Sequence, residues 1–180
     1  VALFGKSIIA TRATTALVLT PVLALAAVLR TVGVGYGLPL PVLNPDEANI
    51  VPRAWDVLHG GGLDPGWYDY PSLLMLVLAP TQALADAPSY GAARVAAVAL
   101  GVAGVAATWW LGSRAYGRRA ALIGALGVAV ATTHVAYSRM AVTDVLLTLG
   151  CTAALALLVD GRLEWAGVVA GLAASAKYPG

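Results

Sequence analysis

The sequence is poor in three things that soluble domains normally have. It contains one cysteine and one phenylalanine, and charged side chains make up 11% of its 180 residues. A lone cysteine, Cys151 inside an apolar run, excludes a disulfide framework and a cysteine-based metal cluster. Soluble chains are roughly one quarter charged, so the scarcity of charge excludes a water-soluble fold. The charges also lack an excess of one sign. Eleven Lys and Arg stand against nine Asp and Glu, which removes the polybasic footprint of a nucleic-acid binder. What is present is a 59% apolar composition with 20 glycines, rich in Ala, Val and Leu, the small-residue mixture of packed membrane helices. The sequence is therefore that of an all-α, polytopic membrane protein.

A helix needs about 20 apolar residues to cross a bilayer. Uncharged runs occur at 13–29, 70–85, 95–113, 120–138, 145–159 and 165–176. Lys6 and Arg12 before the first run, and the concentrated Arg114, Arg118 and Arg119 between two good runs, suit a cytoplasmic side. The run at 70–85 carries Pro71 at its start and Pro80 inside and is expected to lie at the interface. Five crossings result, at about 13–36, 92–113, 119–138, 141–159 and 163–177, in one transmembrane module covering 1–180. The N-terminus is then cytoplasmic, the location the plasma (inner) membrane, and Asp46, Glu47, Asp69 and Asp144 share the outer side. The chain begins with Val and stops just after an apolar helix, so it is expected to be an N-terminal part.

The first outer loop, about 37–91, holds most of the polar sequence. Asn44 is a good N-cap, Pro45 fits the first helical turn, and Glu47 stands where a capping-box acid would reach back. Ile50, Val51, Ala54, Trp55 and Leu58 recur at helical spacing until Gly60-Gly61-Gly62, which predicts an amphipathic surface helix over 47–59 with Trp55 at headgroup level. A second juxtamembrane helix is expected over 72–85. Asp46 and Glu47 read about equally well as helix caps or as working acids. Asp64 reads as a turn residue, whereas Asp69, flanked by Tyr68 and Tyr70, suits a sugar or a headgroup. Asp144, followed by an apolar run, sits at a helix mouth, where an acid is costly unless paired or facing a cavity. Lys177 either snorkels or holds a lipid phosphate. His134 reads as a packed or hydrogen-bonded residue, and Trp109 and Trp110 as interfacial belt.

In order along the chain, Asn44-Pro45-Asp46-Glu47-Ala48, Tyr68-Asp69-Tyr70-Pro71, Tyr90-Gly91-Ala92-Ala93-Arg94, Tyr116-Gly117-Arg118-Arg119, Tyr137-Ser138-Arg139-Met140-Ala141-Val142-Thr143-Asp144 and Ala176-Lys177-Tyr178 resemble the N-terminal module of the GT-C membrane glycosyltransferases. The branch resembled holds protein O-mannosyltransferases and the lipid A aminoarabinose transferase. The resemblance implies a polyprenyl-phosphate-linked sugar donor, transfer on the extracytoplasmic face, and an acceptor protein, glycan or lipid. It implies Asp46 as catalytic base or metal-binding acid, with Glu47 in support and Asp144 as the acid of the second outer loop. Asp69, with Tyr68 and Tyr70, would contact substrate; Lys177, with Arg94 or Arg139, would hold the donor phosphate. A divalent cation, Mg²⁺ or Mn²⁺, between Asp46 and Asp144 is the cofactor it allows. One departure is visible: Ala48-Asn49-Ile50 stands where some relatives carry a basic residue and an aromatic. A non-catalytic scaffold or accessory subunit is the alternative reading; a transporter fits less well, because the acids gather at a boundary rather than at mid-membrane.

Overall fold

A computed structural model describes residues 2–40 and 44–178, with side chains from residue 17 onward. Lys6 and Arg12, on which the cytoplasmic N-terminus rests, lie outside the described side chains, as do Leu43 and Pro179. Among the described residues there are eight helices and no strand: α1 (Ala2–Thr31), α2 (Pro45–Asp56), α3 (Leu73–Gln82), α4 (Tyr90–Ala115), α5 (Arg118–Val130), α6 (Thr132–Tyr137), α7 (Thr143–Val159) and α8 (Leu163–Ala174). Among the described residues only α4 is both long and apolar enough to pass as a span by itself, while α7, α8 and the Leu17–Thr31 part of α1 are shorter apolar helices.

α4 is the central element, packed against α1 and α5 on one side and against α7 on the other, with α8 against α7. Close approach is achieved with small residues. A Cβ on Gly112 of α4 would lie 2.9 Å from the Ala121 backbone of α5, and one on Gly150 of α7 would lie 2.7 Å from the Ala173 side chain of α8. Val22, Ala26, Val105, Trp109, Ala121, Ala125 and Ala129 form the core between α1, α4 and α5. Trp109 is thus an interior residue rather than a belt residue, while Trp110 donates its indole N–H to Asp160 Oδ2 at 3.1 Å. The outward faces are apolar as well: Leu155, Leu158 and Val159 of α7, and Leu163, Trp165, Val168 and Leu172 of α8, are all exposed. Helices apolar all round belong in lipid.

The long loop between α1 and α4 folds differently from a pair of helices floating on a surface. Asn44 caps α2 as its sequence predicts, its side chain accepting from the Asp46 N–H at 2.9 Å. The apolar stripe of α2, however, packs on protein: Ile50, Val51 and Ala54 are fully buried with Leu74, Met75 and Leu78 of α3. Trp55 stacks on His59 at 4.1 Å and donates to the Ala85 carbonyl at 2.7 Å. α3, at ten residues, is only about 15 Å long, half a bilayer core. The Leu73 N–H donates to the Ser175 carbonyl at 3.2 Å, which ties α3 to the end of α8.

Glu47 does not complete a capping box. It is buried and meets Arg94 of α4 through two parallel bonds, Nε to Oε1 at 2.8 Å and Nη2 to Oε2 at 2.6 Å. The Ala141 N–H adds a third bond to Oε1 at 3.0 Å, and Arg94 Nη1 donates to the carbonyls of Val34 and Tyr36. One ion pair therefore joins α2, α4, the turn after α1 and the connection before α7.

The run at 119–138, expected as one helix, is broken at Ala131, where ψ is 116°. Arg30 of α1 fills the break. Its Nη1 donates to Ala26 and Ala129 carbonyls and its Nη2 to the Val128 carbonyl and His134 Nδ1. A guanidinium at a helix C-terminus takes the carbonyls left without partners and opposes the dipole. Gly101 of α4 makes room for this arrangement, since a Cβ there would collide with the Ser138 side chain and approach Arg30 Nε.

Two outcomes follow. Glu47→Ala or Arg94→Ala strands a buried charge and should cost about 3–5 kcal/mol, read as a lowered thermal midpoint in detergent; an unchanged midpoint would refute the keystone role. Gly101→Ala should lower the midpoint as well, and adding Ser138→Gly should restore most of it; no recovery in the double variant would show that Ser138 is not what the Cβ strikes.

Candidate functional site

Asp46 lies in the first turn of α2, held there by the Asn44 cap and by Pro45 at the start of the helix. It is half-buried, and the Tyr70 hydroxyl donates to its Oδ2 at 3.0 Å. Its other oxygen, Oδ1, accepts no hydrogen bond among the described residues. Tyr70 is positioned by the Asp64–Pro71 segment: Trp67 meets it edge-on at 5.5 Å, and the Arg53 guanidinium lies 5.0 Å from the Trp67 ring. Asp64 is a turn residue, its Oδ1 accepting from the Gly66 N–H and the Tyr68 hydroxyl.

Asp144 enters from the opposite direction, in the first turn of α7. Lys177, just beyond α8, donates to its Oδ1 at 2.7 Å and stands 5.5 Å from the Tyr70 ring. Asp46, Tyr70, Asp144 and Lys177 thus form one cluster of two carboxylates, a phenol and an ammonium, drawn from four separate parts of the chain. A cavity of about 490 Å³ opens beside Asp144, walled by Ala131, Thr133, His134, Tyr137, Val145 and Thr148. Another of about 410 Å³ opens beside Tyr70, walled by Tyr68, Pro71, Leu73, Leu172 and Tyr178 among others.

The electrostatics are mutually consistent. Burial and the bond to Asp46 raise the Tyr70 phenol above its ordinary value, so it stays a donor. The hydrogen bond to Asp144 raises the Lys177 ammonium above the usual lysine range, against a smaller opposing effect of burial.

The other expected site residues lie elsewhere. Glu47 and Arg94 are engaged with each other and with backbone. Asp69 is exposed and has no ion-pair partner among the described residues. Tyr68 is exposed, with its hydroxyl on Asp64. Arg139 bonds the Leu29 carbonyl. For a divalent cation the set is a poor fit: among the described residues no three His, Cys, Asp or Glu side chains gather, and the ammonium of Lys177 already takes Asp144. Arg30 was not anticipated as a structural cation, although a charge directly after an apolar run was its signal.

The fold and site define a helical membrane protein with a carboxylate–ammonium cluster at the end of the bundle that carries the first long loop. The chain belongs to glycosyltransferase family 87, whose model matches residues 67–180. That stretch holds Tyr70, Arg94, Arg139, Asp144 and Lys177, while Asp46 and Glu47 precede it and are packed onto it. No curated protein and no solved structure matches the chain.

The Asp144–Lys177 pair predicts a pH dependence. Because the lysine value is raised in the folded state, the pair's contribution is fully present below the ordinary lysine value of about 10.4 and is lost as pH rises through the folded value. In a Tyr70→Phe background, which removes the phenol's own titration, the gap in thermal midpoint between Lys177 and Lys177→Met should stay constant near neutrality. It should shrink as pH rises above about 10.4 and close once pH passes the raised folded value; a gap that does not shrink with rising pH would contradict the pairing.

Proposed function

We propose that the chain is the donor-handling and catalytic module of a glycosyltransferase of the GT-C type, moving a sugar from a polyprenyl-phosphate donor to an acceptor hydroxyl on the extracytoplasmic face. In this reading α1, α4, α5 with α6, α7 and α8 are the five crossings, in the plasma membrane. Their alternating directions put α2, α3 and the acid cluster together at the outer end. Arg114 and Asp160, paired at 3.1 Å, belong to the inner end.

The observation that carries the reading is Asp46, held by Tyr70 at one oxygen and open at the other, with an ammonium close by. Tyr70 fixes the carboxylate so that Oδ1 is turned to an incoming hydroxyl. The acceptor proton passes to Oδ1 as the acceptor oxygen bonds to the anomeric carbon and the bond from that carbon to the phosphate oxygen breaks. A positioned carboxylate base contributes about 10²–10⁴-fold to such a step. The pair of bonding electrons leaves with the polyprenyl phosphate, whose gain in negative charge is met by Lys177. Asp144 holds Lys177 in place until the phosphate competes for it. Glu47 and Arg94 act as positioning residues, fixing the start of α2 and hence Asp46. Tyr68 lines the cavity beside Tyr70, where substrate would pass, and the exposed Asp69 lies between the two tyrosines in sequence. The donor set is not suited to a resident metal ion while Lys177 keeps its place, so no step is assigned to one.

Asp46→Asn in the intact membrane protein should lower transfer from a polyprenyl-phosphate sugar by at least about 100-fold while the thermal midpoint holds. Tyr70→Phe should cost less. Full turnover in Asp46→Asn would remove Asp46 from the chemistry, and a protein that folds, lacks transfer with every such donor and still associates with membrane partners would favour a scaffold.

A further inference from the structure

A third cavity, of about 500 Å³, lies between the turn that follows α1 and the connection from α6 to α7. Val32, Gly33, Tyr36, Ala136, Arg139 and Met140 line it, with Arg94 at its wall. Arg139 uses Nε and Nη2 on the Leu29 carbonyl. Its Nη1 has no acceptor among the described residues and lies beside Gly33, 3.9 Å from where a Cβ on that residue would stand.

Charge is unbalanced here. Arg94 is neutralised by Glu47, but Arg139 and the fully buried Arg30 have no carboxylate partner among the described residues. Both are bonded to backbone carbonyls, Arg30 to His134 besides; Arg30 Nε is buried with no partner; and the two cations repel each other. Backbone dipoles satisfy N–H groups without cancelling the charge. Two partly desolvated guanidinium groups with no acid are costly, and an anion in the adjoining cavity would recover that cost.

The rim indicates where the anion comes from. Val32 and Tyr36 are 62% and 72% exposed, and a tyrosine beside aliphatic side chains at a helix end is suited to the headgroup level of a bilayer. Guanidinium groups match phosphate oxygens in geometry and charge.

We propose that this cavity is a phosphate-binding site separate from the Asp46 cluster, in which Arg139 holds the phosphate of a lipid headgroup whose chains lie along Val32. The proposal rests on the membrane disposition of the helices and is independent of the roles given to Asp46 and Lys177.

Native mass spectrometry of the intact protein, purified in detergent and titrated with phosphatidylglycerol or with inorganic phosphate, tests it. The unaltered protein should retain one phosphatidylglycerol. Arg139→Gln and Ala136→Glu should each weaken retention by about tenfold or more, the second by placing a carboxylate beside Arg139. Ala136→Glu breaks no side-chain bond of the fold and carries the test if Arg139→Gln does not fold. Displacement of the lipid by inorganic phosphate supports the site with a free anion as an equivalent ligand; resistance to displacement supports the lipid as its source. Retention undiminished in Ala136→Glu and in any folded Arg139→Gln overturns the proposal. So does release of the lipid by Asp46→Asn, which would put the lipid at the other cluster. Transfer activity is scored separately, so loss of the glycosyltransferase reading leaves this result standing.

Discussion

The buried Glu47–Arg94 pair is the constraint on which the end of the bundle that carries the long loop depends. It is an ion pair withdrawn from water, and such a pair is tolerable only when its remaining lone pairs and protons are also satisfied. Here they are: the Ala141 N–H completes the carboxylate, and the Val34 and Tyr36 carbonyls complete the guanidinium. The pair and these partners together come from four separate parts of the chain. Satisfying one pair thus fixes the start of α2, the N-terminal end of α4, the turn after α1 and the approach to α7 at once. Asp46 precedes Glu47 by one residue and Asp144 follows Ala141 by three, so the same bonds set the frame for the site.

Arg30 does a related task deeper in the bundle. A span broken at Ala131 leaves helical carbonyls without donors, which lipid cannot supply. The guanidinium takes three carbonyls and His134, and Gly101 leaves the space. The break becomes tolerable because protein covers it, and the short α6 then lines the cavity beside Asp144. The same cation leaves a charge surplus next to Arg139, so the repair of one backbone defect shapes a second anion-attracting pocket.

The site proper is a compact charge balance. Asp46 and Asp144 approach from α2 and α7, and Lys177 reaches Asp144 from beyond α8 while standing over the ring that bonds Asp46. A carboxylate, its phenol donor and a displaceable ammonium are the parts that acid–base and leaving-group chemistry on a phosphate ester requires. Membership in glycosyltransferase family 87 supplies a reaction class for which such parts serve.

Composition and hydropathy by themselves determined the all-helical membrane character, because scarce charge and long apolar runs have few other solutions. Local rules determined the Asn44 cap, the helix that follows it and the turn at Asp64, since these depend on neighbours within a few residues. The order of motifs singled out Asp46, Glu47, Tyr68, Asp69, Tyr70, Arg94, Arg139, Asp144 and Lys177 together, without separating those that cluster from those that do not. Only the tertiary structure decided what each charge faces. Glu47 at a cap position and Glu47 bound to Arg94 are identical in local sequence, as are a belt and an interior Trp109, and one helix and a broken one over 119–138. Their difference lies in partners 47 to 104 positions away, and no periodicity reports those. Contacts at that range are set by where α4 places its small residues, which the sequence spells without indicating what approaches them.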